Sequence, residues 1–168
     1  MKRALITGGG GFVGKAIARR LIQENVECFV LGRNDYPELA GEGVTCIKGD
    51  ITERECTFEK VRNFDVVYHV AALAGIWGKK DNFYSVNVTG TENIIEACLF
   101  NNIPALVHTS TPSVVFGGSD IEGGNENMSY PQRFLCHYAH TKAIAEKHIL
   151  QVDQGALKTC AIRPHLVW

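Results

Sequence analysis

The chain has 168 residues, 45% hydrophobic and 21% charged, close to an average soluble globular protein and long enough for one substantial core. Its 17 basic and 18 acidic residues give a formal net charge of −1, and no basic tract could track a phosphate backbone, which argues against a nucleic-acid partner. No apolar run is long enough for a membrane span, Met1-Lys2-Arg3 enters strand-like sequence without a signal peptide, and the six cysteines form no C-x-x-C pair, so a reduced, cytoplasmic protein is expected.

The first apolar run, Ala4 to Ile6, predicts a strand and leads into Thr7-Gly8-Gly9-Gly10-Gly11-Phe12-Val13-Gly14, after which Ile17, Leu21 and Ile22 mark a helix. Glycines at such a strand-turn-helix junction let the backbone approach a pyrophosphate, and the helix N-terminus offers unpaired N–H groups and a positive dipole end. The string reads as G-x-G-x-x-G from Gly9 or as G-x-x-G-x-x-G from Gly8, and spacing alone does not choose. Gly8, Gly11, Phe12, Val13 and Gly14 are the expected dinucleotide contacts. A second strand, Cys28 to Leu31, ends on Gly32-Arg33, where an NAD site usually carries an acidic residue. Gly32 removes the carboxylate that would repel a 2′-phosphate and Arg33 offers a guanidinium to bind it, so NADP(H) is favoured over NAD(H).

The third strand is predicted over Val44 to Ile47, followed by a connection from Thr52 to Asn63 with Thr52 as N-cap and Glu53 and Glu55 in the first turn. The fourth strand is Val66 to Val70, and Val88, Ile94, Ile95 and Cys98 mark a helix before the fifth, Ala105 to His108. That strand runs into the hydroxyl cluster Thr109-Ser110-Thr111. The segment from Thr111 to Cys136, with its prolines and glycines, is too long for an ordinary connection and reads as functional. Tyr138 and Lys142 then lie four apart, on one face of a helix continued by Ala143, Ile144, Lys147, Ile149 and Leu150. A phenol with a pKa of about 10 relays protons poorly at neutral pH, and a nearby ammonium is expected to lower it. The sixth strand is Thr159 to Ile162, and the residues from Arg163 to Trp168 read as its end and the start of a loop. His137 and His140 lack further ligands and read as a surface pair, so no metal is expected. The sequons at Asn87 and Asn127 read as chance matches without a secretory signal. Alternating strands and helices predict an α/β fold, a doubly wound parallel sheet of Rossmann type with helices on both faces.

The glycine turn, the hydroxyl cluster and Tyr138-x-x-x-Lys142 together resemble the extended short-chain dehydrogenase/reductase superfamily, which includes the NAD-dependent epimerases and dehydratases, and the resemblance covers the whole chain. Gly49-Asp50-Ile51, His69-Val70-Ala71-Ala72, Asn87-Val88-Thr89-Gly90-Thr91 and Arg163-Pro164 are also similar to that family's motifs. Thr109 to Phe116 and Ala72 to Gly78 look most like its 3β-hydroxysteroid dehydrogenase-like branch.

The resemblance implies that Asp50 and Ile51 contact the adenine, that Ala71 and Ala72 line the cofactor, that Asn87 supports the site and that Pro164 lies beside the nicotinamide. It places the catalytic hydroxyl on Thr111, with Ser110 and Ser113 open, the proton on Tyr138, and the tuning and ribose-binding cation on Lys142. The implied reaction is hydride transfer between a nicotinamide and a secondary alcohol or ketone, of steroid-like or 3-oxoacyl type. The alternatives are a sugar-nucleotide epimerase or dehydratase and a non-catalytic NADP(H)-binding sensor or scaffold. Family members pair through the helices corresponding to Asn87–Phe100 and Tyr138–Leu150, which implies a homodimer. Since the family continues past the sixth strand, residues 1–168 are expected to be one dinucleotide-binding domain of a truncated chain, with the C-terminal substrate domain missing.

Overall fold

Residues 1–152, 155 and 157–165 are described by a computed structural model of the chain. The strands β1 (Arg3–Thr7), β2 (Glu27–Gly32), β3 (Thr45–Lys48), β4 (Val66–His69), β5 (Ala105–Thr109) and β6 (Lys158–Ile162) form one parallel sheet in the order β3-β2-β1-β4-β5-β6. This is the doubly wound dinucleotide-binding order, whose direction reverses between β1 and β4. Successive strand residues point to opposite faces, so a strand covered on both sides must be apolar throughout. In β1, Leu5 joins a core with Phe29, Val67, Ile94 and Leu106, while Ala4 and Ile6 join another with Ala18, Leu21, Val30 and Val66.

The helices are α1 (Phe12–Gln23), α2 (Pro37–Gly41), α3 (Arg54–Lys60), α4 (Lys80–Tyr84), α5 (Gly90–Phe100) and α6 (His137–Gln151). A wide π turn, Ser85–Thr89, joins α4 to α5 and buries Asn87; such bulges are frequent at functional sites. The predicted cap of α3 is corrected. Thr52 N and Thr52 Oγ1 both donate to Asp50 Oδ1 at 2.9 Å, so Thr52 closes a turn on Asp50 and the helix starts after Glu53 without a side-chain cap. The predicted strand ends shift slightly: Val44 precedes β3 and Val70 follows β4, where its N–H still donates to Thr7 O at 3.2 Å.

The long segment before α6 holds a 3₁₀ turn, Pro112–Val114, and folds its own small core of Val114, Val115 and Ala143 beneath Met128, Tyr130 and Phe134. The reading of the chain's last residues falls partly on Leu166, Val167 and Trp168, which lie outside the described residues. Among the described residues no helix is long and apolar enough to cross a membrane.

Candidate active site

The carboxyl ends of β1, β2, β4 and β5 open into a cleft of about 500 Å³. At its floor the glycine turn separates by function. Gly8 has φ +68°, and a Cβ there would lie 2.7 Å from Ala71 N and Cα. A Cβ on Gly14 would lie 2.5 Å from Gly8 O, so this residue stays out of the cleft and brings α1 against β1. Gly9 and Gly10 face Val30 and Tyr36. A Cβ on Gly11 would meet only Gly8 O, at 3.4 Å, and its φ of −81° is open to any residue. Nothing in the fold demands glycine at 11, and the space it leaves belongs to the cleft. No side chain caps α1, so its first-turn N–H groups remain for a ligand beside Phe12 and Val13, which line the cleft. These observations fit a dinucleotide's pyrophosphate and select the G-x-x-G-x-x-G reading from Gly8.

Arg33, Asp50, Ile51, Ala71 and Ala72 also line the cleft. Arg33 is exposed and makes no ion pair among the described residues, the neighbouring Asp35 being 3.9 Å from Lys48. Ile51 is fixed by Asn93 Nδ2, which donates to its carbonyl at 2.8 Å. Two further expected cofactor residues, Asn87 and Pro164, are not part of the cleft lining. Asn87 ties the loop after β4 to α6: its Oδ1 accepts from Leu73 N at 2.7 Å, and its Nδ2 donates to Leu73 O and to Thr141 Oγ1, both at 3.0 Å. Pro164 follows Arg163, whose side chain turns to Glu146.

Behind the cleft the hydrogen bonds fix a histidine's tautomer. Thr91 Oγ1 donates to Asn87 O at 2.7 Å, so it accepts from His69 Nε2 at 2.9 Å. His69 Nδ1 therefore accepts from Thr7 Oγ1 at 2.7 Å, and Thr7 Oγ1 in turn accepts from Ala71 N at 3.2 Å. The imidazole is neutral, in keeping with its full burial, which pushes its pKa down to about 3 with the Lys142 charge adding to the effect.

Beside β5, Tyr138, Lys142 and Ser110 line the same cleft as Gly8 and Gly11. Lys142 is only 2% exposed, and its Nζ donates to Thr109 O at 2.6 Å and lies 3.0 Å from His108 Nε2. Burial pushes the ammonium down to about 7, against the attraction of Glu146. The expected lowering of the Tyr138 phenol is not found in this state: burial raises it, while a hydrogen bond with Thr111 opposes the rise. The Thr111 hydroxyl donates its one proton to Ser113 Oγ at 3.2 Å, and Ser110, its neighbour, is buried. His137 and His140 point to aromatic neighbours, His140 stacking on Phe134 at 5.0 Å and sharing a 3.2 Å hydrogen bond with Tyr84 Oη.

The profile of the 3-beta hydroxysteroid dehydrogenase/isomerase family matches residues 5–168. The chain belongs to that family. Within and around it, the chain is 45% identical to a 2-alkyl-3-oxoalkanoate reductase of Shewanella oneidensis, over all of this chain and 45% of that protein. It is 36% identical to a 3-beta-hydroxysteroid dehydrogenase of Mycolicibacterium neoaurum, over 99% of this chain and 48% of that protein. The UDP-glucose 4-epimerase of Thermus thermophilus, solved in complex with NAD, superposes with a TM-score of 0.82 at 30% identity, covering 96% of this chain and 54% of that one. The chain thus spans about half the length of the curated relatives it matches.

Several residues around the family's site escaped the sequence reading. Tyr36 lines the cleft and packs its ring over Gly10 and Gly32; nothing in its local sequence distinguishes it from a loop tyrosine. His108 reaches Lys142 from β5, where an alternating strand pattern marks it as inward but gives no role. Glu146 is fully buried one turn beyond Lys142, bound by Arg163 Nη2 at 2.5 Å and Tyr130 Oη at 2.6 Å. Its spacing of four from Lys142 was the available signal, and a charged pair on a helix usually signifies a solvated face.

Proposed function

We propose that this chain is the cofactor-binding and proton-transferring part of an NADP(H)-dependent oxidoreductase that interconverts a ketone and a secondary alcohol, with an apolar 3-oxoacyl substrate of the kind named for its reductase relative. The observation that carries the reading is the single cavity shared by the glycine turn and by Tyr138 and Lys142. A cofactor laid along it from Arg33 and Asp50 to Lys142 would bring its reactive end to the phenol. The identity to the reductase over the full chain exceeds that to the epimerase, which favours reduction over epimerisation.

When bound, the nicotinamide supplies the two-electron exchange at the substrate carbon. The protein's own groups handle the oxygen. Thr111, its hydroxyl proton turned from Ser113 Oγ, would donate a hydrogen bond to the carbonyl oxygen, and Tyr138, whose pKa burial raises further, delivers the proton as charge develops there. Lys142 holds the ribose hydroxyls and places positive charge near the phenolate that remains. Oxidation runs the same proton path in reverse. We further propose that the protein is a homodimer, through α5 and α6.

The test is Tyr138→Phe in the full-length chain. The phenolic O–H is needed only when charge develops on the substrate oxygen, so carbonyl reduction should fall by roughly 10²–10⁴-fold while NADPH affinity, read by nicotinamide fluorescence, stays the same. Lys142→Ala should damage both. A Tyr138→Phe protein that kept more than about a tenth of the wild-type rate would place the proton elsewhere.

A further inference from the structure

Lys142 is an ammonium with three N–H donors in a place water barely reaches. Thr109 O takes one of them at 2.6 Å. The cleft, which Lys142 lines, is open to another. The remaining acceptor is His108 Nε2, at 3.0 Å, on a side chain with no exposed surface. A charged ammonium can only donate, so in that contact His108 is neutral and carries its proton on Nδ1. His108 Nδ1 is buried and has no hydrogen-bond partner among the described residues. A proton passed to His108 would therefore find no onward path, and the ring is suited to hold Lys142 and not to relay from it.

We infer that His108 is a positioning residue of this site: a buried neutral imidazole whose Nε2 accepts one N–H of Lys142, fixes where the ammonium points and determines how firmly its charge is held. The inference deepens the proposed function, since the ammonium it positions is the one assigned to the ribose and to Tyr138. No side chain on α6 provides this acceptor. Glu146, on the same helix, attracts the ammonium, but its carboxylate is already bonded to Arg163 and Tyr130. His69 lies behind His108 with ring centroids 5.2 Å apart, and its own bonds to Thr7 and Thr91 keep it neutral. Tyr138 shares the cleft and is un-ionised at neutral pH, its pKa raised by burial. The hydrogen bonds of Lys142 thus go to uncharged acceptors, Thr109 O and His108 Nε2, while Glu146 adds charge attraction without a direct bond. Burial pushes Lys142 down to about 7, with the attraction of Glu146 opposing it.

The test follows the Lys142 ammonium directly, in the full chain free of cofactor, by NMR of lysine labelled with ¹³C and ¹⁵N at the side-chain end. Its signal is assigned by loss in Lys142→Arg. Wild type should titrate near pH 7. His108→Leu removes the acceptor and should lower the midpoint by about one to two pH units. His108→Gln restores an acceptor and should bring it back to within roughly half a unit of wild type. NADPH affinity should weaken as pH rises through each protein's own midpoint, since Lys142 loses the charge that binds the ribose. A His108→Leu protein with the wild-type midpoint overturns the inference. Should that variant not fold, a His108→Gln midpoint displaced by more than about one unit does the same. The free-protein titration is independent of turnover, so a Tyr138→Phe enzyme that stayed active would overturn the proposed reaction and leave this result standing.

Discussion

A Cβ at Gly32 would lie 2.4 Å from Tyr36 Oη, so β2 could not end on the carboxylate that binds ribose hydroxyls in NAD sites unless the tyrosine ring moved. The next residue, Arg33, lines the same end of the cleft, exposed and without an ion pair among the described residues to hold it away from a ligand. The proposed preference for a 2′-phosphate would have two sources, the carboxylate missing at Gly32 and the available guanidinium of Arg33. NADPH is expected to bind more tightly than NADH. Arg33→Asp should weaken NADPH by roughly 1.5–3 kcal/mol, about ten- to a hundredfold, and leave NADH nearly unchanged or improved. Equal affinities of the wild-type protein for the two cofactors in a fluorescence titration would rule this out. Packing at Gly32 was invisible in the sequence, because the glycine could be read only as an absent acid and Tyr36 only as part of a turn.

Helix α6 carries two buried charges in succession, Lys142 toward the cleft and Glu146 toward β6 and the long loop before the helix. Glu146 clamps three segments: Arg163 just after β6 reaches both carboxylate oxygens, and Tyr130 donates from the loop at 2.6 Å. Burial pushes this carboxyl up, yet the hydrogen bonds from Arg163 and Tyr130 win and hold it below the usual carboxylate range. A carboxyl whose pKa is lower folded than unfolded stabilises the fold above its unfolded pKa, and that contribution is lost as pH falls through the folded value. Glu146→Gln should therefore cost about 3 kcal/mol at pH 7, measured by urea unfolding, and the gap from wild type should narrow below about pH 4. An unchanged gap would mean that the clamp acts through shape alone. This element also marks the limit of the sequence reading. The six strands and the glycine turn were legible because strands covered on both faces must be continuously apolar and because the turn sits at a strand-helix junction. The inward face of α6 was legible only in part: Tyr138 and Lys142 read as sharing one site, but nothing marked Glu146 as buried, and the partners His108 and Arg163 are distant in the chain. Thr52 misled for a local reason: Asp50, two residues earlier, took its hydrogen bonds first.

The outer surface of the sheet's α5 and α6 layer leaves apolar side chains uncovered: Leu99 is 45% exposed and Phe100 70% exposed at the end of α5, and Leu150 is 47% exposed on α6. The same layer carries ion pairs between its helices, with Glu92 of α5 3.2 Å from His148 of α6 and Glu96 of α5 2.9 Å from Arg54 of α3. Exposed apolar side chains on a helical layer suit an association surface, and two-fold packing of α5 and α6 against their counterparts would bury each leucine twice per dimer. Sedimentation equilibrium at micromolar concentration should give twice the chain mass. Removing one buried leucine costs about 1.5–3 kcal/mol, and symmetry doubles the effect, so Leu99→Glu should raise the dissociation constant by about a hundredfold or more. The same variant separates pairing from the other way such a face can be covered, by further chain folded onto it. If the face pairs, Leu99→Glu yields a monomer whose urea midpoint matches that of the wild-type monomer at low concentration; if more of the same chain lies over Leu99, the variant unfolds earlier at every concentration and the mass does not respond. A single-chain mass for wild type at micromolar concentration would refute the dimer.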